Sequence, residues 1–414
     1  MYRKSLGMAV AISFWFVQNI FAHTLFISPP ATGEEINKIV ADAEEGDTVL
    51  FRSGHYFVNN IIIQKSIYLK GENSPVLDGH GKYQIISIES NDVIVDGFKL
   101  INTGLSDMFE FSAIRIVNSR RVSIKNNILE NVFFGVYCLN VSQSSISNNR
   151  IKSNSIHELQ SGNGIHCWKS DSLHIFNNYI SGQRDGIYFE FVTNSFIERN
   201  ISEKNLRYGL HFMFSQYNNY SHNIFSNNGA GVAVMFSHHV TMYKNIFAEN
   251  RGESSYGILM KEIRDSKVEK NYFTKNSIGI LMEGTSRINV ENNTFESNGW
   301  AFKIQASCED IMISANRFFG NTFDVATNGT LVLNKFSGNY WDKYEGYDLN
   351  KDGIGDVPYR PVSMYSMITE KIPYSIMLFR SFMVMLLEKT EKIIPSLTPI
   401  DLKDDHPLMK PPEL

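Results

Sequence analysis

From residue 113 onward this chain repeats itself about every 22 residues, and that period limits the fold more than any other feature. A small residue opens each unit, at Ala113, Gly135, Gly164, Gly186, Gly209, Gly231, Gly257, Gly279 and Ala301. An Asn stands 14 positions later, at Asn127, Asn149, Asn178, Asn200, Asn223, Asn245, Asn271 and Asn293, with Asn316 one residue late. A short fixed period marks a solenoid, in which no unit buries its apolar face alone. The units contain brief Ile-, Val- and Phe-rich runs separated by Asn, Ser and Gly. Those are strand and turn signals, and the long 3.6-residue pattern of helical repeats is missing. Residues 113–340 therefore read as the regular coils of an all-β, single-stranded, right-handed parallel β-helix, a pectin-lyase-like solenoid of about ten or more coils.

Two columns support the reading. Eleven places after the small residue stand Ile124, Ile146, Ile175, Ile197, Tyr220, Met242, Val268 and Val290. Two places after the Asn stand Leu129, Ile151 and Ile180, then Phe225, Phe247, Phe273, Phe295 and Phe318, with Ser202 breaking the series. The second column is expected inside as an aliphatic ladder that becomes a Phe stack. The Asn column is structural: Asn accepts left-handed backbone at a turn, and its amide can bond the Asn of the next coil. The Asn-to-Gly interval lengthens between Asn149 and Gly164 and between Asn245 and Gly257, so both insertions leave the same corner.

The ends differ from the middle. Residues 1–22 read as a secretory signal, with Arg3 and Lys4 before an apolar run from Leu6 to Val17 and Ala22 before the cut. That run is too short to span a bilayer, so the mature chain is expected to be exported. Residues 23–112 form an N-terminal cap and irregular first coils. Within them, residues 33–44 place Ile36, Ile39, Val40 and Ala43 on one helical face, with Thr32 and Glu35 spaced as a capping box. Residues 341–361 resemble the start of a calcium loop, with Asp348, Asn350, Asp352 and Asp356 as oxygen ligands around Gly353. An EF-hand would carry Glu where Tyr359 stands. Residues 362–414 are a Met- and Leu-rich helical extension, broken near Pro373, and an extended tail. The helices either cap the last coil or dock on a membrane partner, and both roles are compatible. The formal charge of −4 gives no basic excess for nucleic acid, and three cysteines make no disulfide framework.

After each small residue, places one and three are apolar and point in. Cys138 and Cys167 fall there as buried, inert thiols. Places two and four point out and carry Tyr137, His166, Trp168, Tyr188, Glu190, His211, Met213 and Met235. A solvated face would hold Lys, Glu, Thr and Ser, so this one reads as a binding face. His211, Met213 and Met235, with His166 alongside, are a soft imidazole and thioether set suited to Cu(I). Hydrolysis of a glycoside would need two facing carboxylates, and only Glu190 stands near the centre of the face.

The chain also resembles the NosD family, periplasmic accessory proteins of nitrous oxide reductase maturation. The resemblance rests on GDTVLFRSGHY (46–56), on the repeats, and above all on NYWDKYEGYDLNKDGIGDVPYRPV (339–362) followed by PSLTPIDLKDDHPLMKP (395–411). It implies transient copper handling, with Cu(I), sulfur or both as cargo, and the residues themselves show no convincing catalytic constellation. It also implies three partners: nitrous oxide reductase, an ABC-type membrane transporter and a copper-chaperone lipoprotein. A secreted polysaccharide lyase, an epimerase or a carbohydrate-binding β-helix protein remains the alternative.

Overall fold

Period-22 units with three short runs each can satisfy their backbone only by pairing with the coils before and after. The computed structural model, which describes residues 22–106, 109–329, 333–393 and 402–412, has that form. The signal segment lies outside the described residues except for Ala22. Three parallel sheets of 14, 13 and 12 strands run the length of a right-handed β-helix of about 14 turns. In each coil the chain visits the third sheet, then the first, then the second, as in Phe134–Leu139, Ser145–Ser147 and Arg150–Lys152. Adjacent coils pair in register, so residue columns in the sequence become physical stacks about 4.8 Å apart.

The interior follows the predicted columns. Phe247, Phe273 and Phe295 stack with ring centroids 4.7 Å apart, Phe318 follows at 5.1 Å, and Trp341 closes the series at 4.0 Å. All five are buried. The Asn column forms an amide ladder at the corner between the first and second sheets. Asn127 Nδ2 donates to Asn149 Oδ1 at 3.0 Å, and the same link recurs through Asn316 to Asn339. Each rung also takes a backbone carbonyl of the previous coil, so these amides are satisfied without water.

A second Asn ladder, not read from the sequence, runs through Asn205, Asn228, Asn250, Asn276, Asn298 and Asn321 at the corner between the second and third sheets. It explains Ser202. That hydroxyl accepts from Asn205 Nδ2 at 3.0 Å and donates to the Gly209 carbonyl at 2.8 Å. A Phe there would leave the ladder's first amide without this acceptor, and a Cβ on Gly186 would already meet the Ser202 hydroxyl at 1.9 Å.

Both ends are closed. The helix Gly33–Asp42 has Thr32 as its N-cap in a full capping box and buries Ile36 and Val40 on the first coils. At the other end the tail is not simply extended. Leu402 and Asp404 are buried, and Asp404 and Leu408 bridge to Phe336 and Tyr340 of the last coil. The helix Met364–Lys371 lies on the last third-sheet strand, Phe323–Thr327, through Tyr365 and Ser366. Lys303 pairs with Glu370 at 2.7 Å. Beyond it, Tyr374, Met377, Phe382 and Met383 stand exposed. No helix among the described residues is long and apolar enough to cross a membrane.

Candidate functional site

The outer face of the third sheet carries two parallel columns. One runs Arg115, Tyr137, His166, Tyr188, His211, Ala233 and Leu259. The other runs Leu139, Trp168, Glu190, Met213, Met235 and Lys261. Strand pleating puts both columns on the same side, two residues apart.

The first column is a stack of rings. The Arg115 guanidinium lies 5.2 Å from the Tyr137 centroid. Tyr137 and His166 are parallel at 4.6 Å, His166 and Tyr188 at 4.8 Å, and Tyr188 meets His211 edge-on at 5.0 Å. His166 Nδ1 lies 3.0 Å from the Asn163 side-chain amide. Burial, and then the nearby Arg184 charge, lower its pKa to about 3, so the ring is neutral.

His211 is held differently. Its Nδ1 lies 3.7 Å from Asp185 Oδ2, and Arg207 grips the same carboxylate with a fork of 3.0 and 2.6 Å. Burial opposes the charge on Asp185, yet bonds from His211 and Arg207 hold its carboxyl below the usual range. An Arg207 guanidinium nitrogen also lies 3.5 Å from this Nδ1. The side chain is only 8% exposed, and Nε2 has no hydrogen-bond partner. A carboxylate beside a ring nitrogen is an arrangement that orients a histidine metal ligand.

The proposed copper residues thus fall into two groups. Met213 and Met235 are register neighbours on adjacent strands, and His211 shares a strand and a face with Met213. His166 is two strands away, about 9.6 Å by strand spacing, with Tyr188 between the rings. It lines a cavity of its own with Arg184. Beyond the two Met residues, Phe191, Phe214 and Phe236 stack at 5.2 and 5.1 Å. They do so with φ near +50°, a backbone region that bulky residues rarely adopt, so an apolar ridge is kept here at some cost.

Of the remaining face residues, Trp168 lies under Lys169 Nζ at 4.4 Å, and Glu190 accepts from Tyr188 OH at 3.1 Å. Glu190 and Glu283 are four strands apart in the same column, about 19 Å. That exceeds the separation at which paired carboxylates act on one glycosidic bond. Cys138 and Cys167 are register partners, both buried and free, and burial and then Cys138 push the Cys167 thiol up. His238 is half-buried, His239 is exposed, and the two rings are bonded to one another.

In the 348–356 loop the acids serve the loop's own backbone. Asp348 accepts from the amides of Lys351, Asp352 and Gly353, Asp352 from Ile354, and Asp356 from Leu349. Asn350 donates to Asp352 at 3.0 Å.

Sequence reasoning missed Asp185, Arg207, Arg115 and Arg184. The signal was present: Arg184-Asp185 stand directly before Gly186, and Arg207-Tyr208 directly before Gly209. Charges at that corner are out of keeping with the other units.

Comparison with known proteins adds the following. Residues 147–346 match the family model described as "Periplasmic copper-binding protein (NosD)". The chain is 28% identical over 378 residues to the "Probable ABC transporter binding protein NosD" of Stutzerimonas stutzeri, covering 84% of each chain. It is 28% identical over 402 residues to the protein of the same name from Pseudomonas aeruginosa, covering 92% of each. Among solved structures it is similar in fold to the A-module of the Azotobacter vinelandii mannuronan C-5 epimerase AlgE6. That match has a TM-score of 0.61, 14% identity, and covers 74% of this chain and 93% of that one. It is also similar to the catalytic unit of a Streptomyces thermodiastaticus GH87 α-1,3-glucanase, with a TM-score of 0.62, 13% identity, and 75% and 66% covered.

Proposed function

Because this chain belongs to the NosD family, we propose that it handles copper in the periplasm and helps deliver it to nitrous oxide reductase. The observation that carries the reading is the buried, unpartnered His211 Nε2 on the same face as the neighbouring Met213 and Met235. One imidazole and two thioethers make a soft, shallow set that prefers Cu(I) to hard cations. A carrier must also release its metal, and three or fewer ligands allow that. The fold supplies rigidity, since all three side chains stand on strands paired on both sides.

The same reading gives the C-terminal helices a partner. The relatives are named for binding to an ABC transporter. The 3-10 segment Pro373–Leu378 and the helix Phe382–Ile393 expose Tyr374, Met377, Phe382 and Met383 next to the last coil. An exposed apolar surface of that kind suits the membrane subunits of such a transporter. A copper-chaperone lipoprotein is the proposed donor. The test is Cu(I) titration of the mature chain, with and without the two thioethers.

A further inference from the structure

A different set of donors meets at the start of the solenoid. The first strand of the first sheet begins at Thr24, and His23 directly precedes it. The His23 carbonyl accepts the Thr48 amide at 2.9 Å, so the residue is pinned to the next strand while its side chain, 70% exposed, stays in solvent. Its main-chain nitrogen donates to Asp47 Oδ1 at 2.7 Å, and its Nδ1 lies 3.8 Å from the same oxygen. Asp47 is the fixed partner. Its side chain is only 5% exposed, and its second oxygen takes the Glu44 amide at 2.9 Å. These main-chain donors, Glu44 first and His23 next, hold its carboxyl below the usual range.

As an amide, the His23 nitrogen keeps its proton and is a poor metal ligand. The signal read from residues 1–22 ends at Ala22, and Ala22 and His23 are both exposed. Hydrolysis of the bond between them takes up one water, leaves a carboxylate on Ala22 and turns the His23 amide into an α-amine. An α-amine has a pKa of about 8, so it gives up its proton to a metal near neutral pH. The amine and Nδ1 of one histidine close a chelate ring on an ion. Two ligand atoms about 2.0 Å from an ion stand about 2.8 Å apart when they meet it at a right angle. The His23 nitrogen and Asp47 Oδ1 already stand 2.7 Å apart. The Asp47 charge is offset by Lys65, whose ammonium is held by the Ala41 and Ala43 carbonyls at 2.7 Å each. Asp42, Glu44 and Glu45, nearby in the chain, are exposed to solvent. Chelation rather than net charge would therefore hold the ion.

We propose that export cuts the chain between Ala22 and His23, and that the His23 amine, its Nδ1 and the Asp47 carboxylate then bind one Cu(II) ion. Amine, imidazole and carboxylate form a nitrogen and oxygen set that suits the tetragonal geometry of Cu(II), which heads the divalent first-row ions in affinity for such sets. The site shares no residue with His211, Met213 and Met235 and does not depend on them.

The exported chain is purified, and its intact mass should place His23 first. Cu(II) titration against glycine, followed by electron paramagnetic resonance, should show one site with nitrogen and oxygen ligands. His23→Ala, which keeps the amine, should bind at least tenfold more weakly with an unchanged melting temperature. A long histidine-free tag fused before His23 makes that nitrogen an amide again and should weaken binding as much. Asp47→Asn should weaken it severalfold. Met213→Leu with Met235→Leu should leave Cu(II) affinity unchanged. A processed chain that starts at another residue would overturn the proposal, as would Cu(II) binding as tight as the parent's in any of the first three altered chains. Loss of Cu(II) binding in the double Met variant would place the ion on the third sheet and overturn it too.

Discussion

Asp404 accepts the side-chain amide of Asn339 at 2.9 Å, so a carboxylate from the tail forms the last rung of the Asn ladder. The same oxygen takes the Asn339 main-chain N–H at 3.0 Å and the Trp341 indole at 3.1 Å, and the other oxygen takes Gly338. Two stacks that run through the solenoid, the amides and the aromatic rings, therefore end on one buried residue. Asp404→Ala should leave these donors unsatisfied and cost about 3 kcal/mol or more. Because coils touch only their neighbours, the loss should appear first as early unfolding of the C-terminal coils in urea, read by hydrogen exchange at Tyr340 and Trp341.

The Phe stack makes a second prediction. Phe273 is fully buried between Phe247 and Phe295, 4.7 Å from each. Phe273→Ala should cost about 3–5 kcal/mol, measured by denaturant melting. A neutral substitution would mean the column carries little of the stability.

Much of this was legible in the residues, and the reasons for the rest are specific. Columns such as Phe225 to Phe318 and Asn127 to Asn293 were visible because parallel coils in register turn sequence period directly into contact. The second Asn ladder keeps a spacing as fixed as the first, five residues after each Asn from Asn200 to Asn316, and was equally legible, but it begins only at Asn205 and so spans fewer coils. Asp404 was invisible as a cap, since nothing local in DLKDDHP tells a tail that folds back from one that trails. His211 and Met213 were read as one face from pleating alone. The separation of His166 from them follows from the number of intervening strands, and the Asp185–Arg207 pair behind His211 arises from charges at the coil corner that have no periodic partner.

His166 predicts an acid-sensitive stability. Its folded pKa of about 3 lies below the ordinary 6.5, because of burial and then Arg184. Above pH 6.5 the ring is neutral in both states. As pH falls below 6.5 the unfolded chain takes up a proton that the folded chain refuses, so stability is lost down to about pH 3, with a slope approaching about 1.4 kcal/mol per pH unit. Urea melts at pH 7 and pH 5 should show a smaller difference in His166→Gln than in the parent.

The exposed helices predict separable binding and stability. Tyr374 and Met377 are each 85% exposed and Phe382 76%. Replacing all three with Ser should change stability by less than about 1 kcal/mol, as for surface positions generally. It should abolish co-purification with the transporter's membrane subunits from detergent. Retained co-purification would place the docking surface elsewhere.

The central claim is that His211, Met213 and Met235 hold copper, and Cu(I) titration against a chromophoric competitor under reducing conditions tests it most directly. Met213→Leu with Met235→Leu keeps the bulk of both side chains and removes both sulfurs. The account predicts one Cu(I) per parent chain and at least tenfold weaker binding in the double variant, with an unchanged melting temperature. Equal Cu(I) affinity in parent and double variant would contradict it.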